Sequence, residues 1–181
     1  MSSEQHSHAV SLLPNKLPVS HDRLFSRAEP YLQQPHQVSN FRFFEPSLLR
    51  VNSGQLVLRH ENGTSVQLGN SEHLIVVSQH TLAHVSKTPD AANGFFSSLY
   101  LGFSPALVAE FYRDNARLLT ALSPLNGFET LPLDDELRDT LDFCLRGIGN
   151  PASHTVQRNR LTAVLIALAE RRILFMPRAA E

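Results

Sequence analysis

The sequence predicts an α+β fold, in which a small antiparallel β-barrel or sandwich is followed by a helical segment. From residue 41 to residue 103, short runs of Val, Leu, Ile and Phe each end in turn residues, which is typical of many antiparallel strands. After Phe103 the apolar residues recur at a period near 3.6, which indicates helices. A length of 181 residues fits one core with an additional element better than two full domains.

Seven short strands are expected in the first part of the chain. They lie near residues 40–45, 47–52, 55–60, 64–68, 73–78, 81–87 and 95–103. The turns between them carry residues that tolerate a positive φ and can close hairpins, at Asn52-Ser53-Gly54, Asn62-Gly63, Gly69-Asn70 and Asn93-Gly94. Seven short strands joined by tight turns predict a sandwich or a small barrel.

Three helical segments are expected after the strands. Ser104 and Pro105 form an N-cap and first-turn pair that starts the first helix. The second runs over about 134–148, where acidic residues at its start favour the positive end of the helix dipole. The third begins near Pro151 and continues to Met176, because Pro177 prevents extension.

The third helix predicts a homodimer. Its apolar residues cover an arc of about 200°, whereas a helix that serves one core needs about 100°. The excess favours a second buried face, most simply the same helix of another subunit; the alternative is a helix covered on both sides by its own chain. The candidate dimerisation residues are Leu161, Leu165 and Leu168 on the arc, and Arg158 and Arg172, whose long side chains can reach carboxylates of a partner.

The chain therefore divides into three predicted regions. Residues 1–35 form a flexible N-terminal arm, because the first ten residues are polar and the next thirty contain four prolines. Residues 36–104 form the β-domain, and residues 105–181 form the helical dimerisation region.

Composition excludes several classes of protein. A net charge of −1 argues against a basic, self-sufficient DNA binder. The single cysteine, Cys144, excludes a disulfide framework and a multi-thiolate zinc site, and suits the cytoplasm. The most apolar stretch, residues 161–169, is far shorter than the about 20 residues needed to cross a bilayer, so no membrane association is expected.

The order of elements resembles a known family of regulators. The segments Leu48-Leu-Arg-Val-Asn-Ser-Gly54, Leu99-Tyr-Leu-Gly-Phe-Ser104 and Arg160-Leu-Thr-Ala-Val-Leu-Ile-Ala-Leu-Ala-Glu170 carry the resemblance. They are similar to the N-terminal, cupin-like regulatory and dimerisation domain of AraC-type transcriptional regulators. The resemblance implies a cupin-like β-barrel or sandwich that senses an effector. It also implies control of a helix-turn-helix DNA-binding domain, which in the family follows the segment matching 176–181 and has no match in this sequence.

Catalytic and metal chemistry find little support in the sequence. His60, His73, His80 and His84 lie in the strand region, but no His-x-His occurs between residues 40 and 104, so no metal site and no cofactor are expected. Cys144 lies on an apolar helix stripe with no adjacent base, and the acidic run at 134–136 is interpreted as helix capping. We expect no enzyme; the alternative is a free-standing cupin-like metal-dependent oxygenase or isomerase.

Strand parity predicts a ligand cavity inside the β-domain. Residues two apart on a strand share a face, and positions resembling those that line the cavity of fatty-acid-binding family members group together. The candidate ligand-binding residues are Phe41, Phe43, Leu49, Val77, Val85 and Tyr100, with Lys87 as the cation that shares the face of Val85. This set favours an apolar effector with an acidic head, such as a fatty acid.

Several alternatives stay open for this cavity. Lys16, Arg23, Arg42 and Arg50 are other candidate anchors for an acidic head. The alternative to a cavity is a filled core, in which the aliphatic part of Lys87 is buried and its amine reaches solvent. A regulatory protein is the alternative to a small-molecule effector.

Overall fold

The computed structural model describes residues 23–69, 72–148 and 153–175, which contain ten strands and four helices. The strands are β1 Phe25–Ala28, β2 Tyr31–Leu32, β3 His36–Phe43, β4 Ser47–Ser53, β5 Gln55–Arg59, β6 Ser65–Leu68, β7 His73–Val77, β8 Thr81–Thr88, β9 Phe96–Phe103 and β10 Phe128–Pro132. The helices are α1 Pro105–Asp114, α2 Ala116–Leu119, α3 Asp135–Ile148 and α4 His154–Glu170. The predicted polar tail, the anchor candidate Lys16, the turn residue Asn70 and the stretches 149–152 and 176–181 lie outside the described residues.

The strands form two antiparallel sheets. Sheet 1 has the order β1-β9-β4-β7-β10, with β2 also paired to β9, and sheet 2 has the order β3-β8-β5-β6. The two sheets pack as a sandwich and do not close into one barrel. The predicted α+β fold is therefore confirmed in its sandwich form.

Sheet 1 is buried on both faces, which explains its nearly continuous apolar strands. In β4, Leu48 contacts the helices while Leu49 faces sheet 2. In β7, Val76 contacts the helices while Ile75 faces sheet 2. One core therefore lies between sheet 1 and the helices, and a second, which we call the inter-sheet core, lies between the two sheets.

Three strands lie where the sequence predicts none. β1 and β2 fall within the predicted flexible arm, yet both pair with β9. β10 pairs with β7 along its whole length, although Glu129 and Thr130 interrupt its apolar pattern. These strands depend on pairing with distant residues, which the local pattern does not report.

The first two predicted helix starts are confirmed. The Ser104 hydroxyl accepts a hydrogen bond from the Leu107 N–H at the start of α1. Asp134 accepts one from the Leu137 N–H (2.9 Å) at the start of α3 and forms an ion pair with Arg171 (2.9 Å) just after α4. These contacts lower the pKa of Asp134 to about 2 and connect the ends of the two helices.

The third helix ends earlier than predicted, at Glu170 instead of Met176. Arg172 adopts a left-handed conformation (φ 67°), and the N–H groups of Arg172 and Ile173 donate to the carbonyls of Ala169 and Leu168. This is a Schellman motif, which stops a helix and reverses the chain. The apolar residues beyond it then return to the core, where the Phe175 N–H donates to the Tyr112 hydroxyl.

The wide apolar arc of α4 does not require a partner subunit, because the chain itself covers the arc leucines. Leu161, Leu165 and Leu168 are at most 2% exposed, because the chain's own helices, sheet 1 and residues 173–175 cover them. Arg158 forms an ion pair with Glu110 of the same chain, and Arg172 lies beyond the end of α4. A homodimer stays a prediction, but these three leucines are not available to a partner in this arrangement.

None of the described helices is both long and apolar enough to cross a lipid bilayer.

Candidate ligand cavity between the sheets

A small cavity lies within the inter-sheet core, and most of the predicted site residues line it. Phe41, Phe43, Leu49, Val85, Lys87 and Tyr100 line the cavity together with Ala28, Pro30, Val38, Leu56 and Ser98. Val77 is also buried in the inter-sheet core but does not line the cavity. The structure therefore brings six of the seven predicted ligand residues to one place.

The alternation of β8 supplies the cation of the cavity. Ala83, Val85 and Lys87 are all buried on the face toward sheet 1, while Leu82 and His84 lie on the opposite face. The pairing of Lys87 with Leu56 of β5 places it in the interior of sheet 2. Regular two-residue periodicity thus directs a charged side chain into an apolar core.

The Lys87 side chain is largely buried, with 8% of the residue exposed. Burial lowers the pKa of Lys87 from 10.5 to about 8. The amine lies 5.8 Å from the centre of the Phe96 ring, within reach of a cation–π contact. Among the residues that the structure describes, no carboxylate and no hydrogen-bond acceptor pairs with it. A buried amine without an acidic partner is costly, and an acidic ligand would remove that cost.

A second polar group lies where Tyr100 meets Glu45. The Tyr100 hydroxyl donates to Glu45 Oε1 (3.0 Å) and lies 2.8 Å from Ser47 Oγ. Burial raises the pKa of Glu45, and burial and the neighbouring Glu45 raise that of Tyr100. Gly102 leaves the space that these groups occupy, because a Cβ there would collide with both the carboxyl and the hydroxyl.

Sequence reasoning missed Glu45, which stands in the turn between β3 and β4. Its position between Phe44 and Pro46 was a weak signal, because a charged residue in a turn is ordinarily solvated. The Glu45 carboxylate would repel an acidic head group, so it favours the Lys87 end of the cavity for such a group.

The cavity is small as it stands. Its volume is about 30 Å³, whereas pockets for small molecules usually hold about 300–1,000 Å³. A fatty acid would therefore require the side chains and the covering strands to move apart.

The alternative anchors lie elsewhere. Arg50 pairs with Asp142 of α3 at 3.0 Å, on the helix side of sheet 1. Arg23 donates to the Phe25 carbonyl at 2.8 Å. Arg42 is exposed and pairs with Leu82 on the outer face of sheet 2. Of the described candidates, Lys87 is the one that lines the cavity.

The described histidines and Cys144 do not come together as metal ligands. His60 stacks on Phe128 at 4.1 Å, His80 lies in a turn with a φ of 68°, and His84 bonds to Ser39. No three His, Cys, Asp or Glu side chains within residues 23–69, 72–148 and 153–175 come together as a metal site. Cys144 is buried, which raises the pKa of its thiol to about 11.

Comparison with solved structures identifies proteins of the same fold. A crystal structure of ToxT from Vibrio cholerae aligns with a TM-score of 0.63 at 10% sequence identity, over 88% of this chain and 61% of ToxT. The chain has the fold of the part of ToxT that it matches. ToxT bound to (E)-4-(8-methylnaphthalen-1-yl)but-3-enoic acid gives a TM-score of 0.62 at 11% identity, over 87% of this chain and 62% of ToxT. Wild-type ToxT bound to an unsaturated fatty acid gives a TM-score of 0.60 at 10% identity, over 88% of this chain and 60% of ToxT.

This likeness confirms the fold that the resemblance to AraC-type regulators implied. The chain spans about three fifths of the length of the ToxT structures that it matches. No protein-family model and no curated protein sequence matches the chain.

Proposed function

We propose that this chain is the effector-sensing domain of an AraC-type transcriptional regulator. In this proposal an apolar molecule with an acidic head, such as a fatty acid, binds between the sheets and pairs with Lys87. The single observation that carries the proposal is the Lys87 amine, which is buried in an apolar cavity without an acidic partner among the described residues.

The ligands of ToxT support the same ligand class. ToxT binds an unsaturated fatty acid in one structure and a naphthalenyl butenoic acid in another. Both ligands join one carboxylic acid to an apolar body. The inter-sheet cavity offers matching chemistry, because all its lining side chains except Lys87, Ser98 and Tyr100 are apolar.

The segment of residues 25–32, which we call the β1–β2 strap, is the proposed route of entry. Ala28 and Pro30 of the strap line the cavity, and the strap is held at the edge of sheet 1 by its pairing with β9. An edge segment of short strands is easier to displace than a central strand. Movement of the strap would open the cavity and change the surface near β9, and an effector acts through its different affinity for the two arrangements.

The proposal is tested by thermal melting of the purified chain with oleate and with oleyl alcohol, which has the same apolar body without the acid. Oleate at a hundredfold excess over its Kd should stabilise the chain by about 2.7 kcal/mol. A charge-assisted hydrogen bond contributes roughly 1.5–3 kcal/mol, so Lys87→Met should weaken oleate binding at least about tenfold. The alcohol should bind the wild-type chain and Lys87→Met alike.

Arg42→Gln is the matched control, because it removes an exposed cation from the same sheet outside the cavity. It should leave the oleate response unchanged. Oleate binding that is equally strong in Lys87→Met would refute the assigned anchor, and the absence of a response to acids of any chain length would refute the lipid ligand.

The regulator proposal also includes a homodimer and a helix-turn-helix DNA-binding domain. Since Leu161, Leu165 and Leu168 are buried in the chain itself, a dimer through α4 would use its outward side chains, such as Val156 and Ile166. Sedimentation velocity of the purified chain measures this directly, and a monomer at all concentrations would contradict a dimer formed by this chain alone.

A further inference from the structure

A polar groove lies at the outer face of sheet 2, on the opposite side of that sheet from the lysine cavity. Its volume is about 370 Å³, which falls within the usual range of small-molecule pockets. It is lined by Ser39, Asn40, Arg59, His60, Glu61, Gly63, Leu82, Ala83 and His84. The groove is therefore much roomier than the inter-sheet cavity, and its lining is mainly hydrogen-bonding.

A β-bulge shapes one wall of the groove. Val38 pairs with Val85 and Phe41 pairs with Ala83, so that Ser39 and Asn40 together stand opposite His84. Asn40 has a φ of 55°, which is unusual for a residue with a side chain. Bulges commonly redirect side chains beside functional sites, and backbone conformations of this kind persist where the surroundings hold them.

The bulge brings a histidine and a hydroxyl together. His84 Nδ1 lies 3.1 Å from Ser39 Oγ, so the contact orients the imidazole ring within the groove. The opposite ring nitrogen, Nε2, forms no hydrogen bond with a described residue. It can therefore serve a bound molecule.

Arg59 stands next to His84 across the sheet, because the two residues are directly paired in β5 and β8. Among the described residues, the Arg59 guanidinium has no ion pair and no hydrogen-bond acceptor. A single exposed arginine of this kind is common. Arginine recognises carboxylates and phosphates through two parallel N–H donors, and a histidine ring N–H beside it can add a further donor.

The remaining polar groups of the groove indicate which chemical groups the rest of the ligand carries. Glu61 adds an acceptor to the groove, which would bind hydroxyl or amine hydrogens. His60 is fixed by its stacking on Phe128, with ring centres 4.1 Å apart and planes 9° apart. The groove thus offers one cation, two imidazoles and one carboxylate, so an anionic group would bind beside Arg59 and His84, and hydroxyl groups of the same molecule would bind beside Glu61.

We infer that this groove is a second binding site, for a small hydroxylated molecule that bears one carboxylate or phosphate group. Arg59 and His84 bind the anion, and Asn40 and Glu61 bind the hydroxyl groups. The inference does not depend on the proposed fatty-acid site, because β8 directs His84 and Lys87 to opposite faces of the sheet.

The test is an NMR titration of the full chain in 150 mM chloride with three probes: inorganic phosphate, glycerol 3-phosphate and gluconate. We expect saturable amide shifts confined to residues 39–41, 59–61 and 82–84. Shifts with both phosphates identify a phosphate site, and shifts with gluconate alone identify a carboxylate site. Arg59→Gln should weaken binding of the active probe at least tenfold, and His84→Gln should weaken it severalfold.

Arg42→Gln is the matched control, since Arg42 lies opposite Leu82 on the same outer face but outside the groove lining. It should leave the affinity unchanged. Shifts that do not saturate, that spread over arginines throughout the chain, or that persist in Arg59→Gln would overturn the inference. Binding in the groove together with no oleate response would leave the groove established and refute only the lipid ligand.

Discussion

Lys87 is the residue at which stability and proposed function oppose each other. Its charged amine is buried among apolar side chains, and below about pH 8 it is protonated in the folded chain as well as in the unfolded chain. Burial of the charged form therefore costs free energy of folding over this whole pH range. An acidic ligand would offset that cost, so binding of such a ligand would account for a destabilising lysine at this position.

We predict that Lys87→Met stabilises the unliganded chain at pH 7. A pKa lowered from 10.5 to about 8 corresponds to at most roughly 3–4 kcal/mol, and methionine fills a similar volume without charge. Between pH 8 and 10.5 the unfolded wild-type chain binds the proton that the folded chain releases, so wild-type stability rises with pH relative to the variant. Urea unfolding should show that the variant is more stable than the wild-type chain by a large margin at pH 7 and by a smaller margin at pH 10.5. A variant less stable than wild type at pH 7 would contradict this account.

At the scale of elements, the end of α4 shows why a local pattern predicts a helix but not its last residue. Ile173, Leu174 and Phe175 continue the apolar periodicity of the helix, and a proline follows them. The Schellman motif at Arg172 instead turns these residues back against α1 and β9, where the ring centres of Phe175 and Phe103 lie 6.0 Å apart. The same reversal covers the apolar arc that seemed to require a partner.

We predict that Arg172→Gly stabilises the chain. Holding a residue with a Cβ in the left-handed conformation costs roughly 1–2 kcal/mol. Glycine removes this cost but loses more backbone entropy on folding, so the variant recovers only part of it. The expected gain is therefore about 0.5–1 kcal/mol in urea unfolding. Arg172→Ala is the control, because it removes the guanidinium but keeps the Cβ, and it should show no gain. Equal stability of the two variants would show that the backbone conformation carries no strain.

The strands divide into those that the sequence predicts and those that it does not. The inward faces of β3, β8 and β9 follow from two-residue alternation, which is why parity placed Phe41, Val85 and Tyr100 around one cavity. β1 and β2 are short, and β10 carries polar residues and a proline, so their pairing with β9 and β7 has no local signal. The outer groove depends on a bulge and on neighbours across three strands, and it was missed for the same reason.

On the scale of the whole molecule, the two cores have different roles. The core between sheet 1 and the helices is continuous and includes the returning residues 173–175. The inter-sheet core contains the cavity, the buried lysine and one wall formed by the β1–β2 strap. If the chain changes conformation on binding, the change should begin at the strap, because the strap is a wall of the cavity made of short strands at the edge of sheet 1.

We therefore predict that fixing the strap to sheet 1 blocks entry of oleate. Tyr31 and Ser97 are directly paired, and antiparallel partners of this kind have Cα atoms close enough for a disulfide. The variant Tyr31→Cys with Ser97→Cys should bind oleate at least about tenfold more slowly when oxidised, and a phosphine reductant should restore the wild-type rate. Cys144 should not interfere, because its thiol is buried with a pKa raised to about 11. Equal rates in the oxidised and reduced states would mean that the ligand enters elsewhere.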